Sequence, residues 1–260
     1  MAEVIILGSS AATPFPRTLS NQWSDYSNIE HYTENFPLHH DPICKNAKRG
    51  GKDKRTRSAI AIRTEKGAVL FDAGPDIYYQ MEKYGIKPTA VFINHEHRDA
   101  AENAENLKRI GVKIYSEKDG TVSPEMTIAE SGIEVTAFRV EHAVNAKTIG
   151  FLAKYGETTV LIAMDFASLS GLKKYFTQAD ILFVDGSTLH QDLATHISIN
   201  RQLAYYRENL RPNETRAFPR VIFTHIGHDT LPHSELDAYV KRGYPEAEVA
   251  YDGMKIRLRS

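Results

Sequence analysis

The sequence predicts a fold of mixed strands and helices, and two observations predict it. Short apolar runs alternate along the chain with amphipathic, charged segments. Several of those runs stop at an aspartate or a histidine, as strands do in mixed folds whose ligands lie just beyond the strand ends. Strands are expected at 3–8, 58–63, 67–72, 89–94, 133–140, 148–154, 158–164, 180–185 and 220–224, with a final pair within 247–258. Helices are expected at 75–84, opened by Pro75 near the first turn, and at 100–110, 169–177, 198–210 and 233–242. No internal repeat or low-complexity tract interrupts this order.

A chain of 260 residues, 42% hydrophobic and 25% charged with a net charge of −1, can bury a large core as one domain. The expectation is a single domain over 1–260 with a long N-terminal loop at about 9–57. The balanced charge argues against nucleic acid as a partner, and no apolar stretch approaches the length of a membrane span. Cys44 is the single cysteine, which excludes an intramolecular disulfide and fits a reducing compartment. The first residues lack the cationic start and apolar core of a signal peptide, so a cytoplasmic location is expected.

The most informative segment is Asn94-His95-Glu96-His97-Arg98-Asp99-Ala100, directly after the apolar run Thr89–Ile93. His95, His97 and Asp99 sit two residues apart. In an extended segment they project to one side, so two imidazoles and a carboxylate converge as a divalent metal requires. Six apolar runs end in residues of this kind: at Asp72, His95, His142, Asp165, Asp185 and His225. An aspartate after a strand is often a plain turn former. The histidines have no such role, and the recurrence points to a metal site.

On these residues the chain resembles the metallo-β-lactamase superfamily. HEHRDA at 95–100 stands against that family's HxHxDH, followed in the same order by lone His142, lone Asp165 and late His225. The resemblance implies an α+β, four-layer αβ/βα sandwich with a metal site at the cleft between two sheets. It implies one metal on His95, His97 and His142, a second on Asp99 and His225, and Asp165 bridging both. The chain departs from the motif at its last position, where Ala100 replaces a ligating histidine. The second position then keeps Asp99, Asp165 and His225, an oxygen-rich set that suits Mn as well as Zn. One or two ions are expected there.

Thr224-His225-Ile226-Gly227-His228, Leu70–Asp76, Thr195–Asn200 and Tyr251–Ile256 are similar to the PhnP-like branch of that superfamily, the phosphodiesterases that include the C–P lyase accessory protein. That resemblance implies an active-site role for His196. It also implies a structural zinc site, here His39, Asp41, Cys44 and His228, in place of a Cys-x-Cys-x-x-Cys loop and a histidine. An irregular surface loop with a chance cysteine is the alternative. The basic run Lys45, Lys48, Arg49, Lys52, Lys54, Arg55 and Arg57 reads best as a solvated loop, with a phosphate-attracting lip as the other reading.

The implied activity is metal-dependent hydrolysis of a small, cyclic phosphodiester, with metal-activated water as nucleophile. Catalytic roles fall to His196 as proton donor and to Asp165 and Asp99. Asp72 is expected behind the ligands, accepting a ring proton from a ligand histidine, with Asp185 in a similar place. A tRNase Z-like nuclease, a lactone or thioester hydrolase, and a catalytically weakened metal-binding protein remain alternatives. The expected partner is a small phosphodiester substrate, with no membrane, and a homodimer is left open.

Overall fold

A computed structural model describes residues 2–15, 42–143, 147–210 and 218–260. Among them a six-stranded sheet contains β1 (Ala2–Gly8), β2 (Ala59–Thr64), β3 (Gly67–Phe71), β4 (Pro88–Phe92), β5 (Lys113–Tyr115) and β13 (Lys255–Leu258), in the order β13-β1-β2-β3-β4-β5. A seven-stranded sheet contains β6 (Thr127–Glu130), β7 (Ile133–Val140), β8 (Thr148–Tyr155), β9 (Thr158–Ala163), β10 (Ile181–Asp185), β11 (Arg220–Thr224) and β12 (Ala247–Val249), in the order β12-β11-β10-β9-β8-β7-β6. Each sheet is antiparallel in one part and parallel in the other. The parallel pairs are β3–β4–β5 and β9–β10–β11–β12.

Strand alternation builds the layers. In β1, Val4 and Ile6 face the core between the sheets, while Ile5 and Leu7 face the opposite side. In β10, Ile181 and Phe183 face the intersheet core, while Leu182 and Val184 face away. Because residues of period two alternate faces, strands that are apolar on both sides must be covered on both sides. On the first sheet the cover is α2 (Ile77–Tyr84) and α4 (Ala104–Arg109), through Ile77 and Leu107. On the second it includes α6 (Ile199–Asn209) and α7 (His233–Gly243), through Leu203, Tyr206, Leu236 and Val240. The architecture is the expected α+β, four-layer sandwich.

Several expected elements differ in extent. The segment 100–110 forms two short helices, α3 (Arg98–Ala101) and α4, with Asn103 between them. The break occurs because Asn103 is engaged by the 72–75 loop: its backbone N–H donates to Ala73 O at 2.8 Å and its Nδ2 to Gly74 O at 2.9 Å. The segment 169–177 yields only α5 (Lys173–Phe176). Strands β5 and β6 were not expected, since each is short and lacks a long apolar run. The long 9–57 loop contains α1 (Pro42–Lys48), whose Ile43, Cys44 and Ala47 are buried.

Candidate metal centre

The site residues lie where strands end. Strand β4 stops at Phe92, and His95 follows in a loop; His97 is the extended N-cap of α3, and Asp99 lies in that helix's first turn. Their convergence therefore does not come from an extended segment, as the spacing suggested. A strand-to-helix turn produces it, and it sorts the three residues into two groups. Ligand atoms of His95, His97 and His142 lie within 4.8 Å of one another, and those of Asp99, Asp165 and His225 form a second group within the same limit. Ring centroids in the histidine group are 4.3 Å apart for His95–His97, 5.0 Å for His95–His142 and 5.3 Å for His97–His142. Asp165 lies beside both groups, with Oδ1 3.2 Å from His225 Nε2 and one oxygen within reach of His142 and His196. Asp99 Oδ2 is 3.5 Å from His225 Nε2.

Contacts behind the rings set which nitrogen faces the cluster. His142 Nδ1 lies 2.7 Å from Thr195 O, and His225 Nδ1 2.8 Å from Ser187 Oγ. His95 Nδ1 is hydrogen-bonded to Asn94 Oδ1. Since a carbonyl oxygen can only accept, His95 and His142 carry their ring proton on Nδ1 and present Nε2 as a lone pair. His95 Nε2 is buried and has no hydrogen-bond partner. An imidazole nitrogen left so in a buried site is the donor atom that a metal takes.

The electrostatics agree. Burial lowers the His95 pKa to about 4 and also lowers that of His142, so both stay neutral and available at neutral pH. Burial would likewise lower His225, but Asp165 and Asp99 more than offset it and raise its pKa to about 10. Burial would raise Asp165 and Asp99; His225, together with neighbouring histidines that include His95, more than offsets it and holds each carboxyl below its usual range. The side chains alone thus hold a buried cation between two carboxylates. A divalent ion displacing that proton meets the same attraction, so the donor set fits one.

Two strand ends adopt left-handed backbone: Asp72 with φ 69° after β3, and His225 with φ 54° after β11. That conformation costs about 1–2 kcal/mol for a residue with a side chain. Burying one neighbour such as Phe223 contributes about 1.5–3 kcal/mol, enough to carry it. Asp72 sits behind the ligands, but it does not take a ring proton as expected. Its Oδ1 accepts the Asn94 backbone N–H at 2.9 Å, so it supports His95 through the residue that holds the His95 ring. Asn94 Nδ2 also donates to Asp165 Oδ2 at 3.1 Å, which ties the two ligand groups together. Burial drives the Asp72 pKa well above its ordinary value. Gly74 secures the same corner, because a Cβ there would lie 1.9 Å from Asp99 O.

His196, ahead of α6, lies between the groups, with ring centroids 5.1 Å from His142 and 5.5 Å from His225. Asp185 Oδ2 lies 2.6 Å from its Nδ1, and Asp185 raises the His196 pKa against the lowering effect of burial. The rings border a cleft of ≈ 460 Å³ whose walls also include Ala11, Ala12, Arg98 and Leu193. Sequence reasoning missed Asn94, Ser187 and Thr195. Asn94 directly precedes the first ligand and Ser187 follows a strand-ending Asp-Gly, which were the available signals; a backbone carbonyl such as Thr195 O leaves none.

Of the expected structural zinc residues, His39 and Asp41 lie outside the described residues. Cys44 Sγ of α1 is 3.6 Å from His228 Nδ1, and Phe15 meets the His228 ring edge-on at 4.3 Å between centroids.

No family model matches the chain, and no curated protein matches it. Solved structures do. A diphosphatase from the PhnP family is 19% identical with a TM-score of 0.72, over 100% of this chain and 98% of that one. Zn(2+)-bound PqqB from Methylobacterium extorquens is 20% identical with a TM-score of 0.75, over 98% of this chain and 100% of that one. The metallo-beta-lactamase fold protein YhfI from Bacillus subtilis is 15% identical with a TM-score of 0.70, over 98% of each chain. The fold of this chain is the metallo-β-lactamase fold, as the resemblance implied.

Proposed function

We propose that the protein is a metal-dependent hydrolase of a small, cyclic phosphodiester. The observation that carries the metal dependence is the convergence of His95, His97 and His142, with His95 Nε2 buried and lacking a hydrogen-bond partner. These three would hold one ion, Zn or Mn. Asp99, Asp165 and His225 would hold a second, with Asp165 reaching both. An ion held by these residues would supply Lewis acidity and the means of activating water near neutral pH.

The chain's own groups supply the rest. His196, with Nδ1 tied to Asp185 and its ring beside those of His142 and His225, would deliver a proton to the leaving oxygen. A cleft of ≈ 460 Å³ suits a small substrate, and Ala11, Ala12 and Leu193 add apolar surface to its lining. What supports a phosphodiester over other esters is the sequence resemblance around His196 and His225 together with the fold shared with a PhnP-family diphosphatase.

The test is turnover of bis-p-nitrophenyl phosphate, 2′,3′-cyclic and ribosyl 1,2-cyclic phosphates, a lactone and a precursor tRNA, each with Zn²⁺ and with Mn²⁺. Metal-dependent hydrolysis of a cyclic phosphodiester is expected. Turnover of the lactone or the tRNA alone would reassign the substrate, and no turnover of any would favour a metal-binding protein without this activity.

A further inference from the structure

We propose that Ser187 is a positioning residue for the second metal position, through the ring of His225. This rests on the metal-dependent reading above. His225 Nε2 faces Asp165 Oδ1 at 3.2 Å and Asp99 Oδ2 at 3.5 Å. To ligate an ion beside those carboxylates, Nε2 must offer a lone pair, which puts the ring proton on Nδ1. His225 is 3% exposed, so that N–H needs a protein acceptor. Ser187 Oγ, 2.8 Å away, is that acceptor, and its own proton can reach His225 O at 3.3 Å. The hydroxyl therefore fixes both the tautomer and the tilt of the ring.

Ser187 is itself held on three sides. Its backbone N–H donates to Asp185 Oδ1 at 2.8 Å. Its carbonyl packs against Gly227, where a Cβ would lie 1.8 Å from Ser187 O. Its Oγ also lies 3.2 Å from His196 Nδ1, so one hydroxyl borders both the metal ligand and the proton donor. With Ala100 removing a ligand from this position, His225 supplies its one imidazole nitrogen among the grouped residues, and whatever orients that ring acts on the whole position.

The test uses the full chain, freed of metal by chelation and titrated with Zn²⁺ or Mn²⁺ alone, so that it reads binding and not turnover. In Ser187→Ala the weaker of two binding events should fall about 10–100-fold in affinity while the tighter one is unchanged. Ser187→Thr, which keeps the hydroxyl, should restore it. Circular dichroism and thermal unfolding of the metal-free variants report folding. Should the alanine variant not fold, Ser187→Cys, with a weak sulfur acceptor, should show a smaller loss at the same event. An unchanged second event in the alanine or cysteine variant overturns the proposal, as does a loss confined to the tighter event. Failure of the unaltered protein to take up metal would overturn the metal reading itself, and this proposal with it.

Discussion

Asp185 Oδ2 lies 2.6 Å from His196 Nδ1, joining the last residue of β10 to the loop ahead of α6. A strand-end carboxylate thereby holds a ring that borders both candidate ligand groups, the ring to which the proposed function gives the proton transfer. Removing a general acid typically costs 10²–10⁴-fold in rate. His196→Ala should lower kcat by about that much with metal content intact, whereas Asp165→Ala should lower both; kinetics beside elemental analysis separates the two. Asp185 raises the His196 pKa, so the proton-bearing form persists to higher pH. Asp185→Asn should move the alkaline limb of the kcat profile to lower pH.

Metal content should depend on the histidine group. The His95→Ala/His97→Ala double variant should lose most of the metal that the unaltered protein retains when purified without chelator. Equal content in both would remove the assignment.

The two positions should fill unequally. Ala100, 3% exposed, leaves the Asp99, Asp165 and His225 group with three ligands. Metal titration should resolve two affinities, and Ala100→His should tighten the weaker. Simultaneous filling that the substitution leaves unchanged would mean that three ligands suffice.

Gly74→Ala should disturb the site from behind. Its Cβ would meet Asp99 O at 1.9 Å, a backbone atom that can move only with α3. A loss of about 2–4 kcal/mol in stability is expected from chemical denaturation, with weaker metal binding. Unchanged stability would show that the 72–75 corner yields freely.

Stability should fall between about pH 6.5 and pH 4 through His233. Its pKa is lowered to about 4 by burial, and by Arg55 and Lys52, while Arg55 Nη2 lies 3.0 Å from its Nδ1. The unfolded chain binds the proton first as pH falls, so stability drops through this window and levels below it. Partial solvent screening reduces the effect to about 1–2 kcal/mol. His233→Asn should flatten this part of the stability profile relative to the unaltered protein; an identical slope would place the titration elsewhere.

Most of the candidate ligands were legible in the sequence because they follow strand ends, where an apolar period-two run gives way to His or Asp. That is a local signal, and it also located most of the strands. By itself the sequence thus determined the candidates, at those strand ends and in the His95–Asp99 segment; the set His95, His97, His142, Asp99, Asp165 and His225, with Ala100 in a ligand's place, came from the resemblance. The resemblance implied how these divide, but only the tertiary structure decided what divides them. His97 and Asp99 are two residues apart, yet the turn into α3 puts them in different groups. The supporting contacts were likewise out of reach. Asn94 holding His95, Thr195 O holding His142 and Ser187 holding His225 are hydrogen bonds, the last two spanning 53 and 38 residues. Such contacts depend on where separate strands end relative to one another, which the packing of the two sheets sets and no local periodicity encodes.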